Sequence, residues 1–457
     1  MKIHFIAIGG SVMHQLAIAL KRKNYEITGS DDEIFEPASS NLKKEGLLPA
    51  VQGWFPDKLD GSLDAVILGM HAKDDNPELL AAKQLGIKIF SFPEYIFHES
   101  LKKTRVAIGG SHGKTSTTAM VMHVLRSANY EFDYLVGARL DGFDQSVRIT
   151  DAPVIICEAD EYPASITDKR PKFHFLFPHI AVITGIAWDH INVFPTFEFY
   201  LEQFEIFISK IEPGGVLIYN NSDKVLEKLV EQTTRQDIRY QPYQLPTYFI
   251  ENGKTAVMID HLKTNLSIFG NHNLLNLQAA FFVCQELGVI PAVFSKAIAN
   301  FRGAAKRLEV LASNENYNIY RDFAHAPSKV KASIQAVKQQ YPERKLLAIL
   351  ELHTYSSLNE KFMQEYNGAM DDADVAVVFY SGHALELKRM PPLDENVVKE
   401  GFAKKNLIVF TKKEQLEHWL SHHSYADSNL LFMSSGDYDG IDLLKASGLE
   451  SFKGLKV

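Results

Sequence analysis

Short apolar runs recur along the chain, each closed by a glycine or acidic turn and followed by a longer amphipathic stretch. IHFIAIGG predicts a buried strand, VMHQLAIALKRKN a helix and YEITGSDD the next strand; LDAVILGM and IKIFSF predict two more. A second set opens at RVAIGGSHGKTSTT and continues through the strands PVIICEADE and IAVITGI. It includes a hairpin candidate around EPGGVLIYNN and closes with the helix HNLLNLQAAFFVCQELG and the segment FRGAAKRLE. A third set starts near Val310, where NIYRDFA, KLLAILEL, ADVAVVFY, NLIVF and LLFMSS predict five strands with helices between them. Strands alternating with helices predict parallel α/β sheets. The expected division is 1–102, 103–309 and 310–457, three α/β domains.

Composition fits that picture. A chain of 457 residues exceeds what one hydrophobic core serves. Hydrophobic and charged shares of 46% and 23% are those of a globular protein. The net charge of −8, with Lys and Arg scattered, argues against a nucleic-acid or anionic-membrane surface. Cys157 and Cys284 sit in the apolar stretches VIICE and FFVCQ, which predicts buried thiols rather than a disulfide or metal pair. The first residues form a strand entering a glycine turn, unlike a signal peptide, and no apolar run is long enough to span a bilayer. The expectation is a cytosolic protein.

VAIGGSHGKTSTT, residues 106–118, carries the strongest chemical signal. A strand, a glycine loop, Lys-Thr and then a helix is the layout that surrounds a phosphate with backbone N–H groups at a helix amino terminus. Gly109, Gly110 and Gly113 permit the tight path, Lys114 reaches the outer phosphates, and Thr115 offers its hydroxyl to Mg2+. The usual first glycine of such loops is Ile108 here, so the loop is a short variant. A second magnesium ligand is expected at a neighbouring strand end, and Glu158, Asp160 and Glu161 close PVIICEADE. The bland alternatives are a plain glycine turn and a solvated acidic strand end. Asp189 and His190 follow the next strand; a lone histidine is more often structural than a ligand.

As an ordered set, the motifs resemble the Mur ligases, ATP-dependent ligases of cell-wall precursor synthesis. Gly110–Thr115 (Gly110, Ser111, His112, Gly113, Lys114, Thr115) match the family loop G-[TS]-x-G-K-T, and Ser116 follows it. EADE resembles the magnesium-binding segment. GNHNLLN is similar to G-x-H-N-x-x-N, which implies that Asn273 and Asn276 face adenine. FRGAAKRLE resembles F-x-G-x-x-x-R-x-E and implies Arg307 near the γ-phosphate. RDFAHAP resembles D-x-x-H-x-P and implies that Asp322 and His325 meet the nucleotide. The resemblance implies a Rossmann-like first domain for the UDP-sugar, a central P-loop domain for ATP and a Rossmann-like carboxyl-terminal domain. The turn Gly9–Gly10–Ser11 would cradle the UDP diphosphate. A nicotinamide reading of that turn, with Asp31 on a ribose, is weak, because only Gly9 fits the G-x-G-x-x-G frame.

Two branches of the family fit. One adds L-alanine to UDP-N-acetylmuramate; the other adds the recovered tripeptide L-alanyl-γ-D-glutamyl-meso-diaminopimelate to the same sugar. EADEYPASITDKRPKF, GSDDEIFEPAS and MSSGDYDGI resemble the tripeptide branch. In LELHTYSS, His353 is kept, while two arginines of the alanine branch are replaced by Thr354 and Ser357. The tripeptide branch is therefore the expectation and the alanine branch the alternative. A nicotinamide oxidoreductase and a catalytically silent nucleotide-binding scaffold are more distant possibilities. The implied reaction phosphorylates the lactyl carboxylate, and an amine then attacks the acyl phosphate. Lys114, Arg307, His190 and His353 carry the catalysis, with Mg2+ on Thr115, Glu158 and His190 and His353 as a candidate base. Departures are Gly185 and Ala187 for an asparagine and a glutamate, Ala326 for a second histidine, and Gln203 where other members carry a carbamylated lysine. The partners implied are small molecules, with no nucleic acid and no membrane, in a monomer or weak homodimer.

Overall fold

The computed structural model describes residues 1–448 apart from 138–139, 141, 166–167, 189–192, 304–306, 424 and 426. The first sheet consists of β1 (Lys2–Ile6), β2 (Glu26–Ser30), β3 (Ala65–Leu68) and β4 (Ile89–Ser91), parallel and ordered β2-β1-β3-β4. The second contains β5 (Thr104–Gly109), β6 (Asp133–Leu135), β7 (Val147–Arg148), β8 (Val154–Glu158), β9 (Ile180–Ile183), β10 (Val216–Asn220) and β11 (Arg239–Tyr243). Its order is β11-β10-β9-β5-β8-β6-β7, so the strand that feeds the glycine loop is flanked by the two expected strands. These two sheets belong to one compact unit, residues 1–186, 196–244 and 278–294.

A second compact unit comprises residues 187–195, 245–277 and 295–457. It holds an antiparallel sheet of β12 (Tyr248–Glu251), β13 (Lys254–Ile259) and β14 (Leu262–Leu266). It also holds β15 (Glu309–Ser313), β16 (Asn318–Asp322), β17 (Lys345–Glu351), β18 (Val375–Phe379), β19 (Ile408–Phe410) and β20 (Ser428–Met433), ordered β15-β16-β20-β17-β18-β19. All five strands expected after Val310 are present. Alternate residues within each apolar run enter different cores. Leu347, Ile349, Val377, Phe379, Leu430 and Phe432 pack on one side, and Leu346, Ala348, Leu350, Val378, Leu431 and Met433 on the other.

The hairpin expected at EPGGVLIYNN is not formed. β10 lies parallel between β9 and β11, and the two glycines turn the chain from the helix Phe197–Ser209 into it. Its residues are buried almost throughout, as in a strand covered on both faces rather than one arm of a surface hairpin. A hairpin does form at Asn252-Gly253, between β12 and β13, where both turn residues have positive φ. Both cysteines are free and buried, as expected, and burial pushes the Cys157 thiol up to about 12. Among the described residues no helix is long and apolar enough to cross a membrane.

A buried ion pair fixes the start of the second sheet. Lys103 Nζ donates to Asp133 Oδ2 at 2.7 Å and to the carbonyls of Thr150 and Ala152 at 2.7 and 2.8 Å. Neither side chain is more than 7% exposed. Lys103→Met leaves the carboxylate buried without its cation. It is expected to cost about 3–5 kcal/mol, read as a lowered urea midpoint; an unchanged midpoint would show that the pair is dispensable.

Candidate active site

The glycine loop is built by sterics. Gly110 has φ of 121° and Gly113 of 88°, and a Cβ on Gly110 would lie 2.3 Å from Thr184 Oγ1. β5 and β9 thus approach so closely that only glycine fits between the loop and Thr184. Ser111 N donates to the Gly185 carbonyl at 2.9 Å, and the Ser111 and Tyr200 hydroxyls are 2.8 Å apart. Thr184 Oγ1 donates to the His112 carbonyl. The helix Lys114–Ser127 then starts directly from Gly113, with Ser116 buried in its first turn.

Lys114 Nζ donates to the Gly110 carbonyl at 2.6 Å and pairs with Glu161 Oε2 at 2.7 Å. Burial works to lower its pKa, but Glu161, Asp160 and Glu158 outweigh that and carry it above the ordinary lysine value. Thr115 Oγ1 donates to Glu158 Oε1 at 2.6 Å, and Gly137 N donates to Glu158 Oε2 at 2.9 Å. The expected loop residues Gly110–Ser116 and Glu158 therefore meet as one constellation. Its hydroxyl and carboxylate oxygens are the hard donors that suit Mg2+. Glu161, one of the three carboxylates expected at this strand end, pairs with Lys114. Asp160 instead pairs with Lys172 at 2.7 Å; burial works to raise its pKa, and Lys172 and Lys114 bring it below the usual carboxylate value.

His190, expected at the metal, lies outside the described residues with Asp189. At Gly185, one of the departures, the following amide, Ile186 N, donates to Asp223 Oδ2 at 2.7 Å. Gln203 is buried, and its amide donates to the Phe199 carbonyl of its own helix.

In the second unit, Asn273 and Asn276 are both buried near the start of the helix Asn271–Glu286, and the Asn273 amide donates to the Phe269 carbonyl at 3.0 Å. The Arg307 guanidinium lies 4.7 Å from the centre of the Phe323 ring. Asp322 accepts from Leu308 N and Phe323 N at 3.2 and 2.9 Å and from the Ser333 hydroxyl, so its carboxylate fastens the segment after Arg307 to β16. His325 Nδ1 donates to the Phe323 carbonyl at 2.8 Å. His272 belongs to the same cluster: burial lowers its pKa, opposed by Asp322 and reinforced by Arg307.

His353 follows β17. Its Nδ1 is 3.7 Å from Glu351 Oε1, and its Nε2 is 3.5 Å from Lys388 Nζ. A Cβ on Gly436 would lie 2.8 Å from the imidazole, so glycine is required for the ring's position. Thr354 and Ser357 bond one another: Thr354 N and Oγ1 lie 2.9 and 3.0 Å from Ser357 Oγ, and Ser357 N donates to Thr354 Oγ1 at 3.1 Å. Both positions are neutral and locally satisfied, and Lys388 supplies a cation beside His353.

Gly9, Gly10 and Ser11 line a cleft of 1130 Å³ in the first unit. Gly9 N is already held by Asp31 Oδ2 at 2.7 Å and Gly10 N by the Ala7 carbonyl at 3.4 Å, so of the expected cradle the Ser11 amide is the one left to a ligand. Burial pushes the Asp31 carboxyl up to about 6 against that bond, helped by neighbouring Asp32. Met13 is buried in the core.

A P-loop carrying Lys, Thr and an opposing glutamate defines a nucleotide-dependent enzyme of the phosphoryl-transfer class. Family models match almost the whole chain: "Mur ligase family, catalytic domain" at 2–98, "Mur ligase middle domain" at 108–284 and "Mur ligase, glutamate ligase domain" at 306–436. The UDP-N-acetylmuramate–L-alanine ligase of Aquifex aeolicus is 30% identical over 451 residues, 95% of each chain. The fold is shared with the murein peptide ligase of Psychrobacter arcticus (TM-score 0.62, 22% identity, 98% and 99% of the two chains). It is also shared with the UDP-N-acetylmuramate–alanine ligase of Thermotoga maritima (TM-score 0.65, 23% identity, 100% of each). The chain belongs to the Mur ligase family, and it is an ATP-dependent ligase forming an amide or peptide bond.

Proposed function

We propose that this chain uses ATP to activate the lactyl carboxylate of UDP-N-acetylmuramate and joins it to an amine, with L-alanine as the amine. The observation that carries the first part is the Lys114–Thr115–Glu158 constellation on a glycine loop that admits no side chain at Gly110. A carboxylate does not react with an amine until one of its oxygens is made a leaving group. Phosphorylation does this, and the protein's part is positioning and charge neutralisation. The loop amides and Lys114 orient the phosphates. Thr115 and Glu158 would hold Mg2+, which supplies further neutralisation of phosphate charge. His353, with Glu351 3.7 Å from its Nδ1, would take the proton of the attacking amine. The nucleotide roles of Asn273, Asn276, Arg307, Asp322 and His325, the metal role of His190 and the domain limits 1–102, 103–309 and 310–457 are parts of the same proposal.

L-Alanine is the amino acid named for the relative at 30% identity, and that support outweighs the expectation of a tripeptide. The tripeptide remains as a second reading because of one feature. Thr354 and Ser357 leave Lys388 as the cation beside His353, a sparser setting than a small amino acid's carboxylate calls for. Phosphate release from ATP with UDP-N-acetylmuramate decides between them. Release with free L-alanine supports the first reading, release with the tripeptide alone supports the second, and release with neither overturns both.

A further inference from the structure

The helix Lys413–His422 in the second unit carries two histidines that its packing does not use. Leu416 and Leu420 are fully buried and mark its inner side. His418 and His422 lie on the outer side, both exposed, with ring centres 4.1 Å apart and planes 36° off parallel. Their spacing of four residues puts the two side chains on one helix face, the arrangement by which a helix grips a metal ion between two imidazoles. The tautomer of His422 is fixed by its neighbours. Its Nδ1 lies 2.8 Å from the His418 carbonyl and 2.9 Å from the Ser421 hydroxyl. The carbonyl can only accept, and the Ser421 hydroxyl gives its own hydrogen to that same carbonyl at 2.9 Å. Nδ1 therefore carries the proton of the neutral ring, and Nε2 keeps an open lone pair. An imidazole anchored to a backbone carbonyl through one nitrogen is in the state in which histidines ligate metals through the other. His422 is also the last residue of its helix, where the terminal carbonyls favour a cation. His423 is not part of the pair: its ring lies 4.6 Å from that of Trp419, which packs against the core.

We propose that His418 and His422 chelate one late first-row divalent ion, Cu2+ above its neighbours, with water completing the coordination shell. Among the described residues no group of three or more His, Cys, Asp and Glu is placed to hold a metal, so this is an open two-imidazole site and not a closed tetrahedral one. Imidazole with water suits tetragonal Cu2+, which also stands above Ni2+ and Zn2+ in the general order of affinity. Mg2+ takes oxygen ligands and does not compete. An ion shared by the two rings lies near both ring planes, so binding opens the present tilt between them and ties down the last turn of the helix. Neither histidine belongs to the ATP or amine constellation.

The test is titration of the full chain, stripped with EDTA and held in a non-coordinating buffer, with CuCl2 up to one equivalent. Tryptophan fluorescence and electron paramagnetic resonance are the readouts. The wild type is expected to take up one Cu2+, with quenching at Trp419 and hyperfine splitting from two nitrogens. H418Q and H422Q are each expected to weaken binding at least about tenfold, since one imidazole remains. Glu414→His in the H422Q background rebuilds a pair with His418 at the same spacing and is expected to restore binding. Phosphate release from ATP is expected to be the same in H418Q and the wild type. Equal Cu2+ affinity in the wild type and the variant carrying both H418Q and H422Q would overturn the inference, and the copper would then be adventitious ion held elsewhere on the chain.

Discussion

Lys114→Met is expected to reduce ATP-dependent phosphate release by at least about a thousandfold, because charge at the transferring phosphoryl group loses its nearest protein cation. The substitution also has a structural cost. Glu161 is 1% exposed and loses its partner at 2.7 Å, a loss worth about 3–5 kcal/mol for a buried pair. The two effects separate in the double variant. Lys114→Met with Glu161→Gln removes both charges and is expected to recover most of the lost stability while remaining inactive. Turnover near the wild-type rate in either variant would remove Lys114 from the chemistry.

Gly110→Ala should have the next largest effect. The new Cβ would meet Thr184 Oγ1 at 2.3 Å and Thr184 N at 2.8 Å, at a φ of 121°. Strain and overpacking together are expected to cost about 2–4 kcal/mol and to displace the loop, with ATP binding lost. Gly109 provides the control. It precedes Gly110 in the same loop, yet its Cβ would find nothing closer than 3.6 Å and its φ is not positive. Gly109→Ala should therefore retain ATP binding. Equal losses at the two positions would mean that the loop does not work through the close approach to Thr184.

The physical reason for what could be read in advance is burial. β17, β18 and β20 are apolar on both faces, so each stands out as a run of apolar residues, while β16 is marked by the Ile319–Tyr320 pair alone. β15 is an antiparallel edge strand with Val310 exposed, and its sequence looks like a turn leaving FRGAAKRLE. β12 to β14 are short and carry no regular polar–apolar alternation; the Asn252-Gly253 pair was the available signal. At the site, the glycine loop and Glu158 were legible because backbone geometry demands those residue types at that spacing. Lys114 and Glu161 stand 47 residues apart, and their pairing depends on β5 and β8 lying side by side. Lys388, beside His353, carries no local pattern; only the fold brings the two together. The Gly9 amide fell to Asp31 for the same reason, since the register of β1 on β2 brings that carboxylate to the turn.

The central claim is that ATP activates the sugar's own carboxylate. UDP-N-acetylmuramate labelled with 18O in both lactyl carboxylate oxygens tests it, with phosphate released in the presence of the amine analysed by mass. If the carboxylate is phosphorylated and then attacked at carbon, one labelled oxygen leaves with each phosphate. Phosphate carrying no label would contradict the account, since the bond to the amine would then form without the carboxylate ever having been the phosphoryl acceptor.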